Sequence, residues 1–255
     1  MLKQEFFSSK NKSTRVLINL TSYYSFGWTK NCIKQIRLYI PNVPILVIDN
    51  NPSPEDDEKR RSSFSNYLYN SRAEPVQNNK MFLFESERRW LHSLEMVKII
   101  QTPSRLFHGD AINMAMKYAY ANYFDILVHV EPDCIISGNR WYKNLLGAIN
   151  DGAYMSSGAV MPDRSLHPCP SAWSIANTHH YDFMHMLKKM DYCDPQYPFL
   201  VDMAKTYAFE MTFWDTAKKA WYECAKKNKA QYVELTDFRH LWAKSSSIFN
   251  LHPML

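Results

Sequence analysis

Asp125-Ile-Leu-Val-His-Val-Glu131-Pro132-Asp133 is a run of branched apolar residues that stops abruptly at two carboxylates around a proline. Its apolar part is strand-sized and rich in β-branched residues, so it predicts a strand buried on both faces. Pro132 has no backbone donor and marks the point where the chain leaves the ladder. In extended chain, residues i and i+2 point to the same side, which lets Glu131 and Asp133 address one cation. Two hard carboxylates with open positions suit Mg²⁺ or Mn²⁺ holding a diphosphate.

Upstream, Arg15-Val-Leu-Ile-Asn-Leu-Thr21 and Pro44-Ile-Leu-Val-Ile-Asp49 read as two further buried strands. A helix from Thr29 to Tyr39 lies between them, with Cys32, Ile33, Ile36 and Ile40 on one face and Pro41 and Pro44 stopping it. Strand, helix and strand in about 35 residues make a βαβ unit, so these two strands are expected to be parallel. Pro54 to Arg61 opens a solvated helix, acids first and bases after, the order its dipole favours.

Further along, 81–85 reads as a short strand and 87–100 as a helix, with Asp110 the N-cap of a helix from Ala111 to Tyr120. Arg140 to Ile149 is helical, 153–161 and 172–176 are strands, 179–190 and 213–228 are helices, and Gln231 to Leu235 is a strand. In open α/β sheets, ligands bind outside the carboxyl ends of the strands. Here those ends carry Thr21-Ser22, Asp49-Asn50 and Glu131-Pro132-Asp133, which would form one polar rim.

Composition removes several alternatives. The six glycines, at 27, 109, 138, 147, 152 and 158, are about a third of the average usage of ~7%. None sits at phosphate-loop or dinucleotide-fingerprint spacing. Five cysteines, an odd number with no C-x-x-C pair, argue against a disulfide framework and a zinc ribbon and for a reduced, cytoplasmic setting. No apolar run is long enough to span a membrane, and the N-terminus lacks the apolar stretch of a secretory signal. The formal net charge of +5 tolerates an anionic partner without demanding one.

The order of these motifs resembles the GT-A fold glycosyltransferases, specifically the inverting family 2, over roughly residues 15–245. Val16-Leu-Ile-Asn-Leu-Thr21 is similar to the family's first strand, and Ile45-Leu-Val-Ile-Asp49-Asn50-Asn51 to its second. His108-Gly109-Asp110-Ala111-Ile112-Asn113 is similar to the helix start G-x-A-x-N, and Glu131-Pro132-Asp133 to the D-x-D motif. Glu131 replaces the first Asp of that motif and keeps a ligand type, and Asn51-Pro52 interrupts the usual Asn-Gly-Ser.

The resemblance implies an α/β fold of GT-A type, a Rossmann-like three-layer sandwich with a central mixed, mostly parallel sheet. Residues 1–14 would be a flexible N-terminal segment and 246–255 a C-terminal tail. Residues 15–245 would be one domain, with 15–135 its nucleotide-sugar-binding half and 136–245 its acceptor-binding and catalytic half.

The implied activity is metal-dependent, inverting transfer of a hexose or pentose from a nucleotide-diphosphate sugar, most simply a UDP-sugar, to an acceptor hydroxyl. Thr21 and Asp49 would contact the nucleoside, and His108, Gly109 and Asp110 would border the donor. Glu131 and Asp133 would reach the ribose and the Mn²⁺- or Mg²⁺-bridged diphosphate. His240 resembles the family's late metal-site histidine. The base that deprotonates the acceptor would be Asp215, or else Glu210.

The bare residues leave other readings open. Asp215 could cap a helix, His240 could be packed, and Trp173 could stack on a sugar or lie in the core. His179, His180, Asp182 and His185 have no metal-site spacing. The lysine pairs at 188–189, 218–219 and 226–227 read as solvated helix faces. The acceptor would be a glycan, a small molecule or a hydroxylated base in DNA. A non-catalytic nucleotide- or glycan-binding homologue and, more distantly, a nucleotidyltransferase are the other classes compatible with paired carboxylates at strand ends.

Overall fold

The computed structural model describes residues 14–22, 26–50, 85–102, 108–160, 166–187 and 213–240. Its strands are β1 Val16–Ser22, β2 Ile45–Asp49, β3 Val97–Gln101, β4 Ile126–Val130, β5 Cys134–Ile136, β6 Met155–Ser157, β7 Ser171–Ser174, β8 Met184–Leu187, β9 Phe213–Thr216, β10 Ala230–Tyr232 and β11 Phe238–His240. Its helices are α1 Phe26–Tyr39, α2 Glu85–His92, α3 His108–Ala121, α4 Arg140–Asn150, α5 Ile175–Thr178 and α6 Lys218–Ala225.

Seven strands form the central sheet in the order β10-β6-β7-β4-β1-β2-β3. The four from β4 to β3 run parallel, as expected for β1 and β2. Only β7 is reversed, antiparallel to both β4 and β6, and β10 again runs parallel to β6. Every residue of β1, β2 and β4 is buried, which is why their sequences are nearly unbroken apolar runs rather than alternations.

Both faces of the sheet are covered. Val16, Ile18 and Leu20 of β1 and Ile126, Val128 and Val130 of β4 pack with Cys32, Ile33 and Ile36 of α1 and Trp141 and Leu145 of α4. The intervening Leu17 and Leu127 pack on the other face with Ala111, Ile112, Ala115 and Met116 of α3 and with Ala220 and Cys224 of α6. The period-two alternation of each strand thus sorts its side chains between two cores. The result is the three-layer, mixed and mostly parallel α/β sandwich that the resemblance implies.

Several boundaries differ from expectation. The helix expected over 87–100 ends at His92, and Val97–Gln101 is instead the edge strand β3 on β2. Met96, with φ 55, breaks the helix in the left-handed region, and the branched residues after it find a partner strand. The 179–190 segment contains strand β8, paired antiparallel with β9, in place of a helix. The 213–228 segment begins as β9 and turns helical only after Ala217, whose φ of 62 belongs to neither element. In both cases strand pairing overrides a helical sequence pattern.

Asp110 lies inside the first turn of α3, which starts at His108, and so is not its N-cap. Strands β6, β7 and β10 are shorter than read, and β5 and β11 were not anticipated. The 54–61 helix, the 81–84 residues of the expected strand and Glu210 lie outside the described residues. No helix among the described residues is long and apolar enough to cross a membrane.

Candidate active site

Register fixes the rim. Ser22 is opposite Asp49, which is opposite Gln101, while Leu20 is opposite Val130. Glu131, one residue beyond Val130, therefore stands at the level of Thr21. The three polar strand ends are thus brought together at the carboxyl edge of β1, β2 and β4, the place where open α/β sheets bind ligands. Asp49 is buried, and its carbonyl accepts hydrogen bonds from the amide and hydroxyl of Thr102. The buried Oγ1 of Thr21 has no hydrogen-bond partner among the described residues, and an unsatisfied buried hydroxyl at a rim needs an explanation such as a ligand.

His240 reaches the rim from the far end of the chain. Strand β11 pairs antiparallel with β5, so His240 lies opposite Cys134, next to Asp133. Its Nε2 is 2.6 Å from Oε2 of Glu131 and 3.3 Å from Oδ1 of Asp133. Both carboxylates therefore converge on one imidazole nitrogen. Burial works against a charge on His240, but hydrogen bonds to Asp133 and Glu131 and the charge of both outweigh it and hold the imidazolium up to about 10. Burial alone would raise Glu131, yet the hydrogen bond from His240 and the neighbouring imidazoles keep its carboxyl well below the usual carboxylate range.

A second line of imidazoles approaches Glu131 from β4 itself. His129 is fully buried, two residues before Glu131 and so on the same side of the strand. Its Nδ1 is 3.0 Å from the amide nitrogen of Asn19, and its Nε2 is 3.0 Å from Nε2 of His108. An amide nitrogen can only donate, so His129 carries its proton on Nε2 and donates it to His108. Burial, and then the proximity of His108, push His129 down to about 3, and it is neutral. His108 turns its Nδ1 toward Oε1 of Glu131 at 3.5 Å.

Behind the carboxylate, the Glu131 amide donates to Sγ of Cys169 at 3.0 Å. His167 lies 5.9 Å from His240 between ring centroids, with burial lowering its proton affinity. Gly109 is buried at the start of α3, and Asp110 is raised by partial burial and by the nearby Asp182.

Among the expected site residues, Thr21, Asp49, His108, Glu131, Asp133 and His240 gather at this one edge. Asp215 lies in β9, opposite His185, and its side chain is outside what is described, as is Glu210. Trp173 is in the core, donating to Ser171 Oγ and packed edge-on against Phe183. His179 stacks on Tyr120 while Asp182 accepts from Asn113, so they do not converge on a metal. Sequence reasoning assigned no individual role to His129, Asn19, His167 or Cys169. The parity shared by His129, Glu131 and Asp133 was the available signal for the first of them.

The donors fit a divalent cation. Glu131, Asp133 and His240 supply two hard oxygen donors and one imidazole nitrogen, a donor set compatible with Mn²⁺.

No protein-family model and no curated protein sequence matches the chain. Among solved structures it is similar to the mannosyltransferase PcManGT from Pyrobaculum calidifontis in complex with GDP-Man and Mn²⁺, at 12% identity and a TM-score of 0.41, covering 64% of this chain and 45% of that one. It is also similar to S. aureus TarS, at 10% identity and a TM-score of 0.47, covering 88% of this chain and 59% of that one. A third is glucosyl-3-phosphoglycerate synthase from Mycobacterium tuberculosis in complex with Mn²⁺, UDP and phosphoglyceric acid, at 11% identity and a TM-score of 0.46. That match covers 89% of this chain and 70% of the synthase.

Proposed function

We propose that the protein is a metal-dependent glycosyltransferase that moves a sugar from a nucleotide-diphosphate sugar to an acceptor hydroxyl with inversion. The observation that carries this reading is the convergence of Glu131 and Asp133 on Nε2 of His240 at the carboxyl edge of the parallel strands. Glu131, Asp133 and His240 would hold Mn²⁺ or Mg²⁺, which when bound neutralises charge on the departing nucleoside diphosphate. Thr21 and Asp49 would face the nucleoside, the unsatisfied Thr21 hydroxyl gaining a partner from it. His108, Gly109 and Asp110 would border the sugar.

Inversion requires the acceptor oxygen to attack the anomeric carbon from the side opposite the leaving diphosphate. The C–O bond to the acceptor forms as the C–O bond to the diphosphate breaks. A carboxylate takes the acceptor proton, a role we assign to Asp215 and, failing that, to Glu210.

The test is thermal denaturation with UDP or GDP in the presence and absence of Mn²⁺. The expected result is a rise in melting temperature that needs both nucleotide and ion and disappears in Asp133→Ala. Absence of any shift with either nucleotide would sink the proposal.

A further inference from the structure

The two oxygens of Glu131 face different histidines. Oε2 meets His240, whereas Oε1 faces His108, which in turn meets His129. The first arrangement belongs to the site described above. The second is a set of two imidazoles and one carboxylate in which His129, and the facing of His108 toward it, have no part in the proposed transfer reaction.

We propose that His108, His129 and Glu131 form a second divalent-cation site, selective for Zn²⁺-like borderline ions, with Glu131 bridging it to the Asp133–His240 site. Ligand atoms from these three residues lie within 4.8 Å of one another. The two Nε2 atoms are 3.0 Å apart. Imidazoles bound at about 2.0–2.1 Å and separated by a right to tetrahedral angle place their nitrogens about 2.9–3.3 Å apart. Two facing nitrogens at this distance must share something, either one proton or one ion. A swing of the half-buried Glu131 side chain closes the set.

The surroundings favour an ion as the shared group. His129 is fully buried, and a ligating histidine is normally oriented through its other ring nitrogen by a hydrogen-bond acceptor. Asn19 occupies that position, and its Oδ1 is buried with no hydrogen-bond partner among the described residues. Turning the Asn19 amide presents this oxygen to Nδ1–H of His129 and leaves Nε2 free to ligate. Two imidazoles and a carboxylate with open positions suit Zn²⁺, Co²⁺ or Fe²⁺ better than Mg²⁺.

This site shares Glu131 and the sugar-bordering His108 with the transferase reading, so the experiment reads ion binding without nucleotide and contrasts His129 and Asp133, which belong to one reading each. The full chain is stripped with chelator and titrated with Zn²⁺ by calorimetry and with Co²⁺ by visible absorption, without nucleotide. His108→Ala, at a half-exposed position, and His129→Gln are each expected to lose one equivalent of ion relative to the unmodified protein. Asp133→Ala is expected to keep the equivalent that His108→Ala loses. If both histidine variants bind as many ions as the unmodified protein, the pair shares only a proton and the proposal fails. His108→Ala decides the matter if His129→Gln does not fold. Loss of nucleotide-dependent stabilisation in Asp133→Ala, with the His108 equivalent retained, supports two separate ion sites.

Discussion

Nε2 of His240 stands 2.6 Å from Oε2 of Glu131, although 109 residues of chain separate them. The contact depends on a two-stranded ladder, β11 on β5, that lies outside the main sheet. The last described residue is thereby delivered to the end of β4, where the chain has just placed two carboxylates. The His240 imidazolium offsets their mutual repulsion.

That arrangement sets a pH dependence. His240 is held above its ordinary value, up to about 10, so its contribution to stability is complete below about 6.5 and is lost as the pH rises toward 10. Glu131 is held below its ordinary value, so its contribution is present above about 4.5 and is lost on acidification. In chelator, the stability difference between the unmodified protein and His240→Gln is expected to be largest between about pH 4.5 and 6.5 and to shrink toward pH 10. Urea unfolding at several pH values measures it. A difference that grows with alkalinity would contradict the ion pair.

Asp237 holds the ladder in place by capping a helix from outside it. Its carboxylate accepts from the amides of Arg140 at 2.6 Å and Trp141 at 2.7 Å, the first turn of α4, while Asn139 makes no side-chain cap. Asp237→Ala is therefore expected to lower stability by about 1 kcal/mol, within a range of ~0.5–2. Asp237→Asn, which keeps one acceptor, should lose less. Chemical denaturation gives both values, and an unchanged midpoint in Asp237→Ala would deny the cap.

What could be read from the sequence follows from these particulars. Strands β1, β2 and β4 are buried on both faces, and that burial writes itself as Val16-Leu-Ile, Ile45-Leu-Val-Ile and Ile126-Leu-Val. Their polar ends, and hence Thr21, Asp49, Glu131 and Asp133, were legible for the same reason. Strands β5, β8, β9 and β11 are three or four residues long, too short to show a period, and exist because a distant segment pairs with them. The helix read over 213–228 failed at Ala217, where a left-handed residue separates strand from helix. His240 could be named by resemblance, but its contact with Glu131 depends on pairing that no local pattern encodes.

The thiols offer a check on the two cores. Cys32, Cys134, Cys169 and Cys224 are free and buried, and Cys32 and Cys134 approach to 3.6 Å between sulfurs. The hydrogen bond with Cys134, then burial, pushes the Cys32 thiol well up, and burial does the same to Cys169 and lifts Cys224 to about 12. A thiol reagent at pH 8 is expected to leave these four unmodified in the native protein and to modify them promptly in denaturant, because all four are buried and the reactive thiolate is disfavoured at Cys32, Cys169 and Cys224. Mass spectrometry of the modified peptides reads the result. Rapid native labelling of Cys169, which touches the Glu131 amide, would mean that the carboxylate is not backed as described.

Asp215 tests the chemistry apart from the binding. It lies on β9, outside the main sheet, and not among the carboxylates that would hold the ion. If it removes the acceptor proton, Asp215→Asn is expected to lower transfer by about 10²–10⁴-fold, the contribution of a positioned general base. The melting temperature and its rise with UDP and Mn²⁺ should remain unchanged. A purely structural role predicts the reverse pattern, with lower stability and weakened nucleotide binding but little change in transfer per bound complex. Glu210→Gln, measured alongside, exchanges the two outcomes if the base is Glu210. If neither variant loses turnover while both bind nucleotide normally, the proton goes to another group and the assignment of either carboxylate falls.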